Sequence, residues 1–168
     1  EDFGSLTVLL EGAAKRKIDL GSLRPRLVAM HKEARRIGLD NNASEMHRED
    51  ALKLMAKIPE SKEDIASLSE IGVASPSKKL RSAALAVLRQ QREPMVGGEV
   101  LARWQRTSPS VRSELLPMLL ERQEWIEALL LAVKQGSVQA GEIPPGDRQR
   151  IAQSANVQLR EMAASLFS

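Results

Sequence analysis

Apolar residues recur along this chain at helical spacing. After Ser108, residues Val111, Leu115, Leu116, Leu119 and Leu120 fall at i, i+4, i+5, i+8 and i+9, while Arg112, Glu114 and Glu121 lie largely outside that stripe. The pattern predicts an amphipathic helix. Ser108-Pro109 offers it a hydroxyl N-cap followed by proline at the first helical position, where the missing N–H costs nothing, and Ser75-Pro76 offers the same to "SKKLRSAALAVL". Pro117, inside the stripe, predicts a kink. Partner helices precede both: Ser61 caps "KEDIASLSEIG", which Gly72 stops, and a turn at Gly97-Gly98 admits "EVLARWQR". Further on, a Leu-rich helix "WIEALLLAVKQG" ends at Gly136, a loop carries Gly141 and Pro144-Pro145, and two helices follow, "GDRQRIA" and "VQLREMAASLF". The N-terminal "LTVLLEGAAKRKIDLGSLRPRLVAM" has the same order of Leu-rich helix, basic-polar turn and second helix.

These helices repeat. "HREDALKLM", "LRSAALAVL", "VRSELLPML" and "LREMAASLF" align, each with an arginine one residue after its start: Arg48, Arg81, Arg112 and Arg160. From Arg48 to Arg81 is 33 residues, from Arg81 to Arg112 is 31, and from Arg112 to Arg160 is 48. The first two steps match the period of helical-hairpin repeats, and the short extra helix accounts for the longer third. The expectation is an all-α fold: a short right-handed α-solenoid of about nine or ten helices, one domain over residues 1–168, each hairpin burying its stripe on its neighbours.

Composition narrows the class. Of 168 residues, 42% are apolar and 28% charged, the aromatics are Phe3, Trp104, Trp125 and Phe167 alone, and Ala and Leu dominate, which favours closely packed helices over a β-sandwich. No apolar run approaches the ~20 residues that cross a bilayer. The absence of cysteine excludes disulfides, thiolate metal sites, a cysteine nucleophile and covalent haem attachment within these residues. The net charge of +3 arises from 25 Lys+Arg against 22 Asp+Glu mixed along the chain, a weak signal for nucleic acid. A start at Glu1 with no charged n-region and apolar h-region after it fits a processed product or an excised fragment.

The apolar-Arg pair and Ala-Leu step that follow a proline-bearing turn, as in "SPSKKLRSAALAVL", resemble HEAT-like repeats. Over residues 75–168 the chain also resembles the helical region of a bacterial family of large exported dehydrogenase-like proteins. The features that match are Trp104 before Ser108-Pro109, Val111-Arg112, Glu124-Trp125, the Leu-rich helix ending at Gly136, and Ile143-Pro144 before Arg148 and Arg150. In that family a β-propeller sugar-dehydrogenase-like domain comes first, the HEAT-like segment follows, and a c-type cytochrome domain with a C-x-x-C-H motif closes the chain. With neither cysteine nor propeller sequence here, the resemblance implies a scaffold segment between redox domains, periplasmic or exported, with no catalytic residue to carry over.

The residues themselves offer little chemistry. His31 and His47 stand on different predicted helices with no third ligand, so ordinary surface or inter-helix roles are favoured over a metal. Glu49-Asp50 and Glu63-Asp64 are sequence neighbours, which splays them around a helix. Gly97-Gly98 lacks the strand-turn-helix setting of a dinucleotide loop, and no phosphate loop occurs. The basic clusters at 14–17 and Lys78-Lys79 lack the aromatic platforms of single-strand binders. The arginine series is expected to bond carbonyls or acids between hairpins while its stems cover apolar surface. Trp104 and Trp125 are expected in inter-repeat packing, each indole N–H needing an acceptor.

No catalytic, cofactor or metal site follows. The expected function is a non-enzymatic scaffold or interaction module, monomeric, without a cofactor of its own, and joined to a protein partner or to neighbouring domains of the same chain. The alternative is a nucleic-acid-binding HEAT-like protein resembling the alkyl-purine DNA glycosylases. It needs a concave basic strip with an acid and aromatics at its centre, and the even mixing of charge disfavours it.

Overall fold

In the computed structural model the described residues are 24–57 and 64–167. The predicted N-terminal Leu-rich helix, the basic cluster at 14–17, Phe3 and the Ser61 cap with Glu63 lie outside them. Every regular element among the described residues is helical, so the fold is all-α. Packing divides the chain into two compact units, Glu1–Arg92 and Glu93–Ser168. The sequence marks no boundary there; the backbone does, with Arg92 in the left-handed conformation at the end of a helix (φ 52°).

In the first unit, α1 (Arg24–Leu39) packs on α2 (Glu45–Met55), and α3 (Ile65–Ala74) packs on α4 (Lys78–Gln91). Helix α4 also packs on α2, which explains its wide apolar face: Leu80, Ala83, Ala84, Leu85, Val87 and Leu88 are all buried. Its alanines let two neighbours approach at once, and its leucines fill the space between them.

Two punctuation marks read differently in three dimensions. Gly72 does not stop α3, which continues to Ala74. It sits where a Cβ would stand 2.8 Å from Leu85 Cδ2, so its role is close approach of α3 to α4. Likewise Ser75 is no N-cap. Its amide donates to Ile71 O at 3.2 Å and closes α3, and Ser77 caps α4 by accepting from the Leu80 amide at 3.3 Å. The two caps are two residues apart because a chain leaving one helix needs a short extended step before it can enter the next.

In the second unit, α5 (Met95–Leu101) leads through a single 3₁₀ turn, Trp104–Arg106, to α6 (Pro109–Leu119). Then come α7 (Gln123–Lys134), a second 3₁₀ turn (Ala140–Glu142), α8 (Pro145–Ala152) and α9 (Val157–Phe167). Ser108 caps α6 with Pro109 at the first position, as expected from the sequence, and Pro117 is carried inside α6 two residues before its end. Gly97 and Gly98 lie within α5 and not in a turn before it. Gly136, at φ +77°, ends α7 in a Schellman arrangement: its own amide donates to Val133 O and that of Ser137 to Ala132 O, both at 3.0 Å.

Helix α7 is the centre of this unit, packing on both α5 and α9. On the α9 side, Leu130, Ile151, Leu159 and Ala163 form a buried cluster, flanked by the half-buried Met162, Leu166 and Phe167. No described helix is long and apolar enough to cross a membrane.

Candidate functional site

The repeated arginines divide three to one. Arg48 Nε donates to Gly38 O at 3.3 Å, Arg81 Nη1 to Ser75 O at 3.0 Å, and Arg160 Nη1 to Ser154 O at 3.0 Å. Arg81 and Arg160 bond the turn that leads into their own helix, whereas Arg48 bonds the last turn of the preceding helix, α1; none reaches a successive hairpin. Arg81 and Arg160 share a whole local motif. Ser75 Oγ accepts from the Ser77 amide and Ser154 Oγ from the Asn156 amide; Ser77 then accepts from Leu80 N, and Asn156 from Gln158 N and Leu159 N. A guanidinium six residues beyond the first serine locks each turn by bonding its carbonyl.

The capping side chains also reach backwards. Ser77 Oγ donates to Glu45 Oε1 at 2.8 Å, 32 residues upstream, and Asn156 Nδ2 donates to Gln123 Oε1 at 3.0 Å, 33 residues upstream. Glu45 and Gln123 are the first residues of α2 and α7. The same interlock therefore ties α4 to α2 in the first unit and α9 to α7 in the second. By this bond the helix answering α2 is α7, not the Arg112 helix α6, so the 48-residue step from Arg112 to Arg160 spans more than one repeat.

Arg112 is used differently. Its Nη1 pairs with Glu142 Oε1, and its guanidinium lies over the Trp104 ring, 5.5 Å from the centroid. Glu142 Oε2 accepts from Trp104 Nε1 and from the Gln139 amide, both at 2.9 Å, completing a capping box on the 3₁₀ turn. Trp104 is closed to solvent, so its N–H has the acceptor that burial demands. Burial is the largest influence on the Glu142 carboxyl and pushes its pKa up. The Trp104 indole, the Gln139 amide and Arg112 together outweigh burial and hold it below the ordinary value of 4.5.

That depression sets a pH dependence. A carboxyl with a lowered folded-state pKa adds stability that is present above its unfolded value and is lost as pH falls through the folded one. Glu142→Gln is expected to destabilise the protein by about 1–2 kcal/mol at pH 7, and the gap to the parent should close as pH falls below 4.5. Urea titrations of both proteins at pH 7 and pH 3 measure it, and a gap that stays constant would refute the ion-pair assignment.

Trp125, also closed to solvent, donates from Nε1 to Glu93 O at 2.9 Å, 32 residues upstream, with Arg122 over its ring at 5.0 Å. Its backbone lies against Gly97, where an added Cβ would stand 3.1 Å from Trp125 Cα. In the first unit Arg35 makes a two-pronged pair with Asp64, its Nη2 to Oδ1 at 2.7 Å and its Nε to Oδ2. Sequence reasoning missed Glu142 and the Arg35–Asp64 pair; the one local signal was glutamate at the third position after Gln139, the spacing of a capping box.

The remaining candidates do not converge. His31 is buried on α1 and His47 exposed on α2. Asp64 faces Arg35, while Glu49 pairs with Lys53 at 2.6 Å one helical turn away. Arg36 with Glu33 (2.7 Å) is a further pair within α1, and Arg103, just past the end of α5, pairs with Glu99 of that helix at 2.8 Å. Lys78 and Lys79 are exposed at the start of α4. Among the described residues no group of three or more His, Cys, Asp or Glu side chains is placed to hold a metal ion. Comparison with protein-family models, with curated proteins and with solved structures finds no match.

Proposed function

We propose that this chain is a non-catalytic scaffold, a short HEAT-like α-solenoid that holds a protein partner or neighbouring domains of its own polypeptide. The observation that carries the reading is the recurrent interlock, in which a helix cap bonds the first residue of a helix 32 or 33 residues upstream, at Ser77–Glu45 and again at Asn156–Gln123. Repeats that carry their own interlock stack at fixed pitch, and a stack acts through its shape. In support, the two tryptophans are spent on core packing, Arg81 and Arg160 on turn locking, Arg48 on the end of α1, and Arg112 on an internal ion pair.

The resemblance to the helical region of exported dehydrogenase-like proteins gives the proposal its setting: a spacer between redox domains, in the periplasm. Trp104, Trp125 and Gly136, which carry that resemblance, form core and helix-end structure, as suits a spacer.

The deciding experiment uses the native gene product that contains residues 1–168. Its reduced-minus-oxidised visible spectrum is expected to show c-type haem retained through denaturation, and residues 1–168 by themselves to show none. A native product without haem removes the redox setting. Duplex-DNA binding that is tight at low salt and collapses at moderate salt would replace the scaffold reading with nucleic-acid recognition.

A further inference from the structure

Two long-range ion pairs share a pattern. Arg35 is met by Asp64, 29 residues on, and Arg112 by Glu142, 30 residues on. In both cases the acid is followed by isoleucine, Ile65 or Ile143, and that isoleucine is buried. In these two pairs an acidic-aliphatic dipeptide satisfies an inter-element arginine: the carboxylate takes the guanidinium and the next side chain leaves water.

Arg148 occupies the position of Arg112 in a later helix. Each stands three residues after a proline at the first helical position, Pro109 in α6 and Pro145 in α8. The Nε of each is closed to water without an acceptor. Arg112 nevertheless has Glu142 on its Nη1, whereas Arg148 makes no hydrogen bond or ion pair with any described residue. The adjacent Asp147 is turned to Arg150 at 3.3 Å. Beside Arg148 lies a cavity of about 260 Å³ walled by Pro145, Gln149, Ala152 and Phe167, with no acid in that lining. The volume is below the ~300–1,000 Å³ of small-ligand pockets and suits one or two side chains.

We infer that this cavity is a docking site for a partner polypeptide that presents an acidic-aliphatic dipeptide, its carboxylate on Arg148 and its aliphatic side chain against Ala152 and Phe167. The site rests on the interaction-module reading and gives that module a specific contact. Charge complementarity and the two internal examples define the partner's chemistry: Glu or Asp followed by Ile, Leu or Val on an exposed turn.

The test is an NMR titration of residues 1–168 with the capped peptide SVQAGEIPPG, which copies the chain's own turn around Glu142. Shifts are expected at the Arg148 Nε–H, the Ala152 methyl and the Phe167 ring. Arg148→Gln should weaken binding about tenfold, as should the peptide with glutamine in place of glutamate, whereas Arg150→Gln, with the same change in net charge, should bind like the parent. Equal binding by Arg148→Gln or by the glutamine peptide overturns the site, as does no binding at all. Full reproduction of the shifts by propionate at the same concentration makes it a small-carboxylate site and overturns the polypeptide partner. Shifts confined to another face overturn this location and leave the scaffold reading, which the haem measurement addresses separately.

Discussion

Trp104→Ala is expected to cost the second unit about 3–5 kcal/mol, the range for removing a closed-off indole from a core. Three losses combine: the ring has no exposed surface, its N–H is the donor to Glu142 Oε2, and its face carries the Arg112 guanidinium. Against a domain stability of about 5–15 kcal/mol this brings the unit close to unfolding at ordinary temperature. Trp104→Phe separates the contributions. It keeps most of the packing and removes the N–H, leaving Glu142 Oε2 with the Gln139 amide, and should cost about 1–2 kcal/mol. Urea unfolding followed by the fluorescence of Trp125, the remaining tryptophan, reads both variants in the unit concerned. A loss below about 1 kcal/mol for Trp104→Ala would show that the ring is not part of the core.

The helices were legible where the signal is local. Ser108-Pro109 starts α6 and Gly136 ends α7, because caps and left-handed ends depend on a few adjacent residues, whereas Pro145, expected in the loop, is the first residue of α8. The tryptophans were legible as core, being large apolar residues beside leucines, and both indoles found acceptors. Which acceptors they found was not legible. Glu142 is 38 residues from Trp104 and 30 from Arg112, and nothing near either marks it out among 22 acids. Arg35 and Asp64 pose the same difficulty across 29 residues.

Repetition partly bridges that distance, and also misleads. The arginine alignment picks out a real turn motif in Arg81 and Arg160, since both bond the carbonyl six residues back. It places Arg112 in the same series because "VRSELLPML" has a similar outline, yet Arg112 turns to an ion pair. Two kinds of amphipathic helix in a hairpin share one hydrophobic period, so the period cannot say which of the two is being matched. The capping bonds to Glu45 and Gln123 do distinguish them, because they depend on which helix ends lie side by side.

Glycine is the residue whose role was least legible, and the adjacent pair in α5 makes the sharpest test of it. Gly97→Val is expected to destabilise the second unit by about 3 kcal/mol, and Gly98→Ala to stabilise it by about 0.5–1 kcal/mol. At Gly98 an added Cβ meets nothing within 4 Å, so alanine brings only its better helix propensity and a less disordered unfolded chain. At Gly97 the Cβ would stand 3.1 Å from Trp125 Cα and 3.2 Å from its Cβ and Cδ1. Backbone cannot swing aside as a flexible side chain can, so α5 must move away from α7 as a body. That movement would stretch the Trp125 bond to Glu93 O, now 2.9 Å, and open space around a ring that water does not reach. Parallel urea titrations of the two variants, read by tryptophan fluorescence, give the two signs directly. If both variants were stabilised, the two glycines would be equivalent surface positions and the close crossing of α5 on α7 would be wrong. Opposite signs would mean that one glycine of the pair is needed for contact and its neighbour only tolerated, a distinction carried by the crossing helix and invisible in the dipeptide.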